Sequence, residues 1–94
     1  MEQTVTVLVP GVLRGDVAGA SRLEVNAAGT VRSVLDEVTD RWPRLGRRIR
    51  DERGDLRRYV NVYVDGEDCR RVGGLEAPVP PGAEVQVIPS VAGG

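Results

Sequence analysis

Apolar and polar positions alternate along Thr4-Val5-Thr6-Val7-Leu8-Val9, which puts Val5, Val7 and Val9 on one face and predicts a strand. Pro10-Gly11 closes it as a turn signal, and the glycines of residues 12–20 read as loop. Ser21-Arg22-Leu23-Glu24-Val25 alternates again with Leu23 and Val25 inward, so the first two strands form an antiparallel hairpin.

After the connector Asn26-Ala27-Ala28-Gly29 the period changes. Thr30 is placed to cap a helix by accepting an amide hydrogen bond. Val31, Val34, Leu35 and Val38 follow at helical spacing, with Trp42 continuing the stripe. Pro43 has no amide for helix continuation, so the helix ends near Trp42, which reads as a core plug. Leu45 and Ile49 predict a short second helical turn, followed by a polar loop through Arg53-Gly54-Asp55.

Tyr59-Val60-Asn61-Val62-Tyr63-Val64 gives the clearest strand signal, with the valines on one face and Tyr59, Asn61 and Tyr63 on the other. Asp65-Gly66 suits a turn needing positive φ. A weaker strand covers Asp68 to Val72, residues 73–82 read as loop, and Glu84-Val85-Gln86-Val87-Ile88 is the last strand, stopped by Pro89. The order β-β-α-(short helix)-β-β-β is an α+β design, a sheet of about five strands covered on one face by one main helix. A β-grasp domain over residues 1–89 with a five-residue tail, 90–94, is the arrangement expected.

Composition narrows the chemistry. The 94 residues include one cysteine, Cys69, and no histidine. Ser-His and Cys-His dyads and zinc sites of paired cysteines and histidines are therefore absent, and self-contained catalysis is not expected. All 13 basic residues are arginine, so there is no Schiff-base lysine and no side-chain amine to accept an isopeptide bond. No apolar run reaches the roughly 20 residues that span a bilayer. The start Met1-Glu2-Gln3-Thr4 lacks the basic region of a signal peptide, so a cytoplasmic location is expected.

The tail Ser90-Val91-Ala92-Gly93-Gly94 carries the functional signal. A Gly-Gly end has no Cβ atoms and can thread a narrow channel, and five residues reach about 16–18 Å when extended. The group it presents is a backbone carboxylate. A partner enzyme using ATP and Mg²⁺ can convert that carboxylate to an acyl-adenylate, which a sulfur nucleophile then attacks to leave a thiocarboxylate.

The block Arg58-Tyr59-Val60-Asn61-Val62-Tyr63-Val64-Asp65-Gly66-Glu67-Asp68, then Gly73-Gly74-Leu75, Gly82, Val85 to Pro89 and the ending Val91-Ala92-Gly93-Gly94, resembles the ubiquitin-like sulfur carrier family of the MoaD and ThiS type. Within it the CysO-type carriers of cysteine biosynthesis are most similar. The resemblance implies a β-grasp fold and activation by an E1-like adenylating enzyme of the MoeB or ThiF type, with Gly94 becoming the thiocarboxylate. It also implies a sulfur acceptor such as a pyridoxal-phosphate-dependent cysteine synthase or a thiosugar synthase, and a metalloprotease that releases a cysteinyl adduct. With Gly94 last in the sequence, no proteolytic maturation is expected. A ubiquitin-like modifier and the small subunit of molybdopterin synthase share this end and are the alternatives.

The remaining conspicuous residues are read more plainly. Cys69 is a packing residue, since the family places sulfur on the terminal glycine. Gly93 belongs with Gly94 to the reacting end, and Tyr59 and Tyr63, with Val91 and Ala92 of the tail, are the expected contacts with partner enzymes. Residues 41–58 hold eight arginines against Asp51, Glu52 and Asp55, a net charge of +5 in a chain of net charge −1. Interleaved acids and a single aromatic, Trp42, make this a solvated face or a patch for an acidic partner sooner than a nucleic-acid footprint. A monomer forming transient heterocomplexes is expected, with no membrane partner.

Overall fold

The computed structural model describes residues 4–26 and 29–89. Strand β1 (Val5–Leu8) runs antiparallel to β2 (Arg22–Val25), with Val5 opposite Val25 and Leu8 opposite Arg22. Val5, Val7, Val9, Leu23 and Val25 are all buried, as the alternation requires. The segment between them departs from the expected loop. Gly11–Val17 winds into a 3₁₀ helix, the Leu13 amide donating to the Pro10 carbonyl at 2.9 Å. Leu13 and Val17 are both buried, so two apolar anchors four residues apart outweigh the glycines around them.

Gly29–Thr30 (β3) pairs with a short strand further on, just before the main helix α1 (Val31–Arg41). Thr30 does cap it: the Ser33 amide donates to Thr30 Oγ1 at 3.2 Å and the Thr30 amide to Ser33 Oγ at 3.1 Å. Val31, Val34, Leu35 and Val38 are buried. The Trp42 amide still bonds the Val38 carbonyl at 2.7 Å, and then Pro43 opens α2 (Pro43–Ile49). Trp42 packs against the core only in part, with the Arg41 guanidinium 4.4 Å from its ring centre. Leu45, Gly46 and Ile49 face inward from α2. At Gly46 a Cβ would overlap Thr39 Oγ1 and come within 2.8 Å of Thr39 Cα, so glycine sets the close approach of the two helices.

Strand β4 (Val60–Val64) buries its three valines and turns through Asp65 and Gly66, both at positive φ (49° and 88°), into β5 (Glu67–Asp68). β5 is shorter than the Asp68–Val72 segment the sequence suggests. The Asp68 carboxylate accepts from the Arg70 amide at 3.0 Å, starting a 3₁₀ turn over Cys69–Arg71 that takes the chain off the sheet. Pro78–Val79 (β6) is the partner of β3, a two-residue ladder too short to leave a pattern.

The last strand, β7 (Glu84–Pro89), lies parallel to β1 and antiparallel to β4, giving the five-stranded order β2-β1-β7-β4-β5. The sheet is mixed, its inward valines meeting Val34, Leu35, Val38, Leu45 and Ile49 in one core. The expected architecture, a five-stranded sheet on one main helix and a short one, is the one observed. Among the described residues no helix is long and apolar enough to cross a membrane.

Candidate functional site

β1 holds β7 as far as Gln86, and from there to Pro89 the strand is held by β4 alone. Val87 is opposite Val62, Ile88 opposite Asn61 and Pro89 opposite Val60. Gly94, Gly93, Ala92 and Val91, the residues on which the sequence places the chemistry, lie outside the described residues. The structure therefore describes the base from which they depart.

The open face of the sheet leads to that base. Register places Arg22, Leu8, Gln86, Tyr63 and Asp68 in one row across all five strands. The next row toward Pro89 holds Ile88 and Asn61. Ile88 is 39% exposed, the outward isoleucine of a strand whose inward residues, Val85 and Val87, are buried. Tyr63 is half-buried within the row, whereas Tyr59 is 47% exposed and precedes β4. The two tyrosines therefore do not form one continuous strand face: Tyr63 is opposite Gln86, and Tyr59 lies in the turn before the strand. A hollow of about 300 Å³ opens on the β1 side of β7, lined in part by Leu8, Pro10, Arg22, Gln86 and Ile88.

Arg70 also belongs to this region. Its guanidinium donates to Asn61 Oδ1 at 3.0 Å and to the Arg57 carbonyl at 2.9 Å. The Val60 amide donates to the same Arg57 carbonyl at 3.0 Å. Arg70 thereby ties the segment 57–59 to the strand that pairs with Pro89. No local pattern announces this contact, because it joins residues 13 apart in sequence.

Cys69 lies beneath, fully buried. Burial pushes its thiol up from the ordinary 9.0, the Asp68 carboxylate adds to the rise, and Arg70 with a backbone bond offsets only part of it. A buried thiol held in its neutral form is a poor nucleophile. Among the described residues the arrangement offers an apolar and aromatic surface on the sheet that ends at Pro89.

The fold is that of a ubiquitin-like β-grasp protein. The chain belongs to the ThiS family, whose model matches residues 7–94. The sulfur carrier protein CysO of Mycobacterium tuberculosis is 37% identical over 93 residues, covering 96% of this chain and 98% of that one. Among solved structures, the Amycolatopsis orientalis BexX/CysO complex matches with a TM-score of 0.86 and 41% identity, over 96% of this chain and 99% of that one. Small archaeal modifier protein 1 of Methanosarcina acetivorans matches at 0.82 with 29% identity, over 100% of this chain and 99% of that one. The chain is a sulfur carrier protein of the CysO and ThiS type.

Proposed function

We propose that this chain carries sulfur as a thiocarboxylate on Gly94 and acts as a co-substrate of partner enzymes, not as an enzyme. The observation that carries the reading is the family match, which runs through residue 94. An E1-like adenylating enzyme of the MoeB or ThiF type joins the Gly94 carboxylate to the AMP of ATP, releasing pyrophosphate, with ATP and Mg²⁺ bound by that enzyme. Sulfide attacks the acyl carbon, AMP leaves, and the thiocarboxylate remains. Gly93, Ala92 and Val91 supply a slender lead into the partner's active site. Tyr63, opposite Gln86, and Tyr59 dock the body outside it.

The destination we propose is cysteine biosynthesis, through a pyridoxal-phosphate-dependent cysteine synthase and release of the cysteinyl adduct by a metalloprotease. The CysO name of the relative supports that choice. A thiosugar synthase is the other acceptor class. The complex of the Amycolatopsis neighbour with BexX supports docking of a carrier of this shape on a second protein.

The test is an intact mass spectrum after incubation with an adenylating enzyme, ATP and a sulfide source. Exchange of one oxygen for sulfur is expected, and it disappears when Gly94 is deleted. Tyr63→Ala should raise the KM for the carrier in adenylation and leave kcat near its original value. A second reading, a protein modifier, draws on the likeness to small archaeal modifier protein 1. It predicts isopeptide-linked ladders on lysines of other proteins, and an unchanged mass in the sulfide assay with a competent enzyme would favour it.

A further inference from the structure

The eight arginines of residues 41–58 divide into two groups in the structure. Arg41, Arg48 and Arg50 pair with Glu37, Asp16 and Asp36 at 3.2, 2.9 and 2.9 Å. Arg50 is anchored further by a bond to Thr39 Oγ1 at 3.2 Å, its side chain only 10% exposed. Arg57 spends its Nε on the Arg47 carbonyl at 2.8 Å. The side chains of Arg44, Arg47, Arg53 and Arg58 have no ion pair or hydrogen bond among the described residues.

Three of these four share one surface. α2 turns Leu45, Gly46 and Ile49 to the core, so Arg44, Arg47 and Arg48 form its solvent side. Two shallow hollows meet at Arg47. One, about 340 Å³, lies between α1, α2 and the following turn, with Arg32, Arg50 and Arg53 in its wall against Glu52 and the Arg50-paired Asp36, so its net charge stays positive. The other, about 280 Å³, lies toward the first 3₁₀ helix, with Arg44 and Arg48 in its wall. Arg53 is held in place through its backbone. The Asp51 carboxylate accepts from the Arg53 and Asp55 amides at 2.9 and 3.1 Å, and Gly54 takes the positive φ (87°) that closes the turn.

We propose that this arginine face, Arg44, Arg47 and Arg53 around the two hollows, is a docking surface for an acidic segment of a partner protein. Charge complementarity selects the occupant: unpaired guanidiniums spaced along a helix and a braced turn match carboxylates spaced along a chain. A free small anion would need donors converging on one point, and here the most enclosed arginine, Arg50, is already occupied by Asp36 and Thr39. A nucleic-acid strand would want an exposed stacking surface, but Trp42 is partly buried and covered by Arg41. The face lies on the helical layer, opposite the open side of the sheet, and is joined to the base of the tail through Arg57 and Val60. A partner holding it leaves the tyrosine side free. The surface exists whether or not Gly94 bears the sulfur.

The test follows backbone amide signals of the isotope-labelled full chain during titration with a capped oligoglutamate peptide. Saturable shifts centred on Arg44, Arg47, Arg53 and Gly54 are expected, with binding about tenfold weaker in R44E/R47E/R53E. None of these side chains makes a hydrogen bond or ion pair, and the one electrostatic tie, Arg53 to the exposed turn at Asp51, lies outside the core, so the variant should keep its fold. The neutral R44Q/R47Q/R53Q, expected to weaken binding less, serves if it does not. A control, R22E/R71E, changes charge elsewhere and should bind within about twofold of the original. Equal loss in the control, the same shifts from inorganic phosphate alone, tighter binding of an oligothymidylate, or no shifts at all would each overturn the proposal.

Discussion

The Arg70 guanidinium donates to Asn61 Oδ1 at 3.0 Å and, through its other terminal nitrogen, to the Arg57 carbonyl at 2.9 Å, laying one side chain across the start of β4. Val60, the first residue of that strand, pairs with Pro89, so the clamp braces the point where β7 ends. Arg70→Ala should cost about 1 kcal/mol, the low end for charge-assisted bonds because the pair is exposed. The denaturant midpoint will register the loss. Hydrogen exchange at the Val60 amide should accelerate more than at Val62. Arg70→Lys should recover only part of the protection, since one ammonium cannot span both acceptors in the same forked geometry.

Gly46 fixes the distance between the helices. A methyl group there would collide with Thr39 Oγ1 and approach Thr39 Cα to 2.8 Å, and a backbone atom cannot rotate away. Gly46→Ala should therefore destabilise by about 1–3 kcal/mol despite alanine's better helix propensity. Thr39→Ala in the same chain should return only part of that loss, because the contacts with Thr39 Cα and Cβ remain. Thermal denaturation of the two single variants and the double variant measures the coupling.

Asp51 gives the turn beneath the arginine face a pH dependence. Partial desolvation alone would raise its carboxyl above the ordinary 3.8, but the Asp55 and Arg53 amides, with the Arg53 and Arg57 guanidiniums, outweigh it and hold the value below. A lowered folded value means that Asp51 contributes stability above the unfolded value, and that the contribution is lost as pH falls through the folded one. Carboxyl chemical shifts should show Asp51 titrating below a solvent-exposed aspartate. The stability difference between the original chain and Asp51→Asn should shrink as pH drops below 3.8.

What could be read in advance was whatever rests on neighbours in sequence. Valines at spacing two and at helical spacing, Thr30 before its helix, Pro43 after it and Asp65-Gly66 between strands each act within a few residues, and each was legible. The parallel pairing of β1 with β7, the β3–β6 ladder and the Arg70 clamp join distant segments, and no local pattern encodes their register. Leu13 and Val17 show the intermediate case, an apolar spacing of four hidden among glycines. The site divides the same way. Tyr59 and Tyr63 stood out as aromatics beside valines, but the place of Tyr63 opposite Gln86 needed the register, and residues 90–94 lie outside the described part.

Cys69 separates the proposed sulfur site from the only thiol in the chain. It is fully buried, and burial, then Asp68, keeps its thiol protonated well past neutrality. Alkylation by iodoacetamide at neutral pH should be far slower in the folded chain than in denaturant, because labelling must wait for opening. Cys69→Ala should cost about 1 kcal/mol through the small cavity it leaves. Cys69→Ser should cost more, because its hydroxyl enters an apolar site without a ready partner. Loading of sulfur in the adenylation assay should be unchanged in Cys69→Ala. Loss of loading in that variant, with its fold intact, would make Cys69 part of the loading step and overturn the assignment of that step to Gly94 alone.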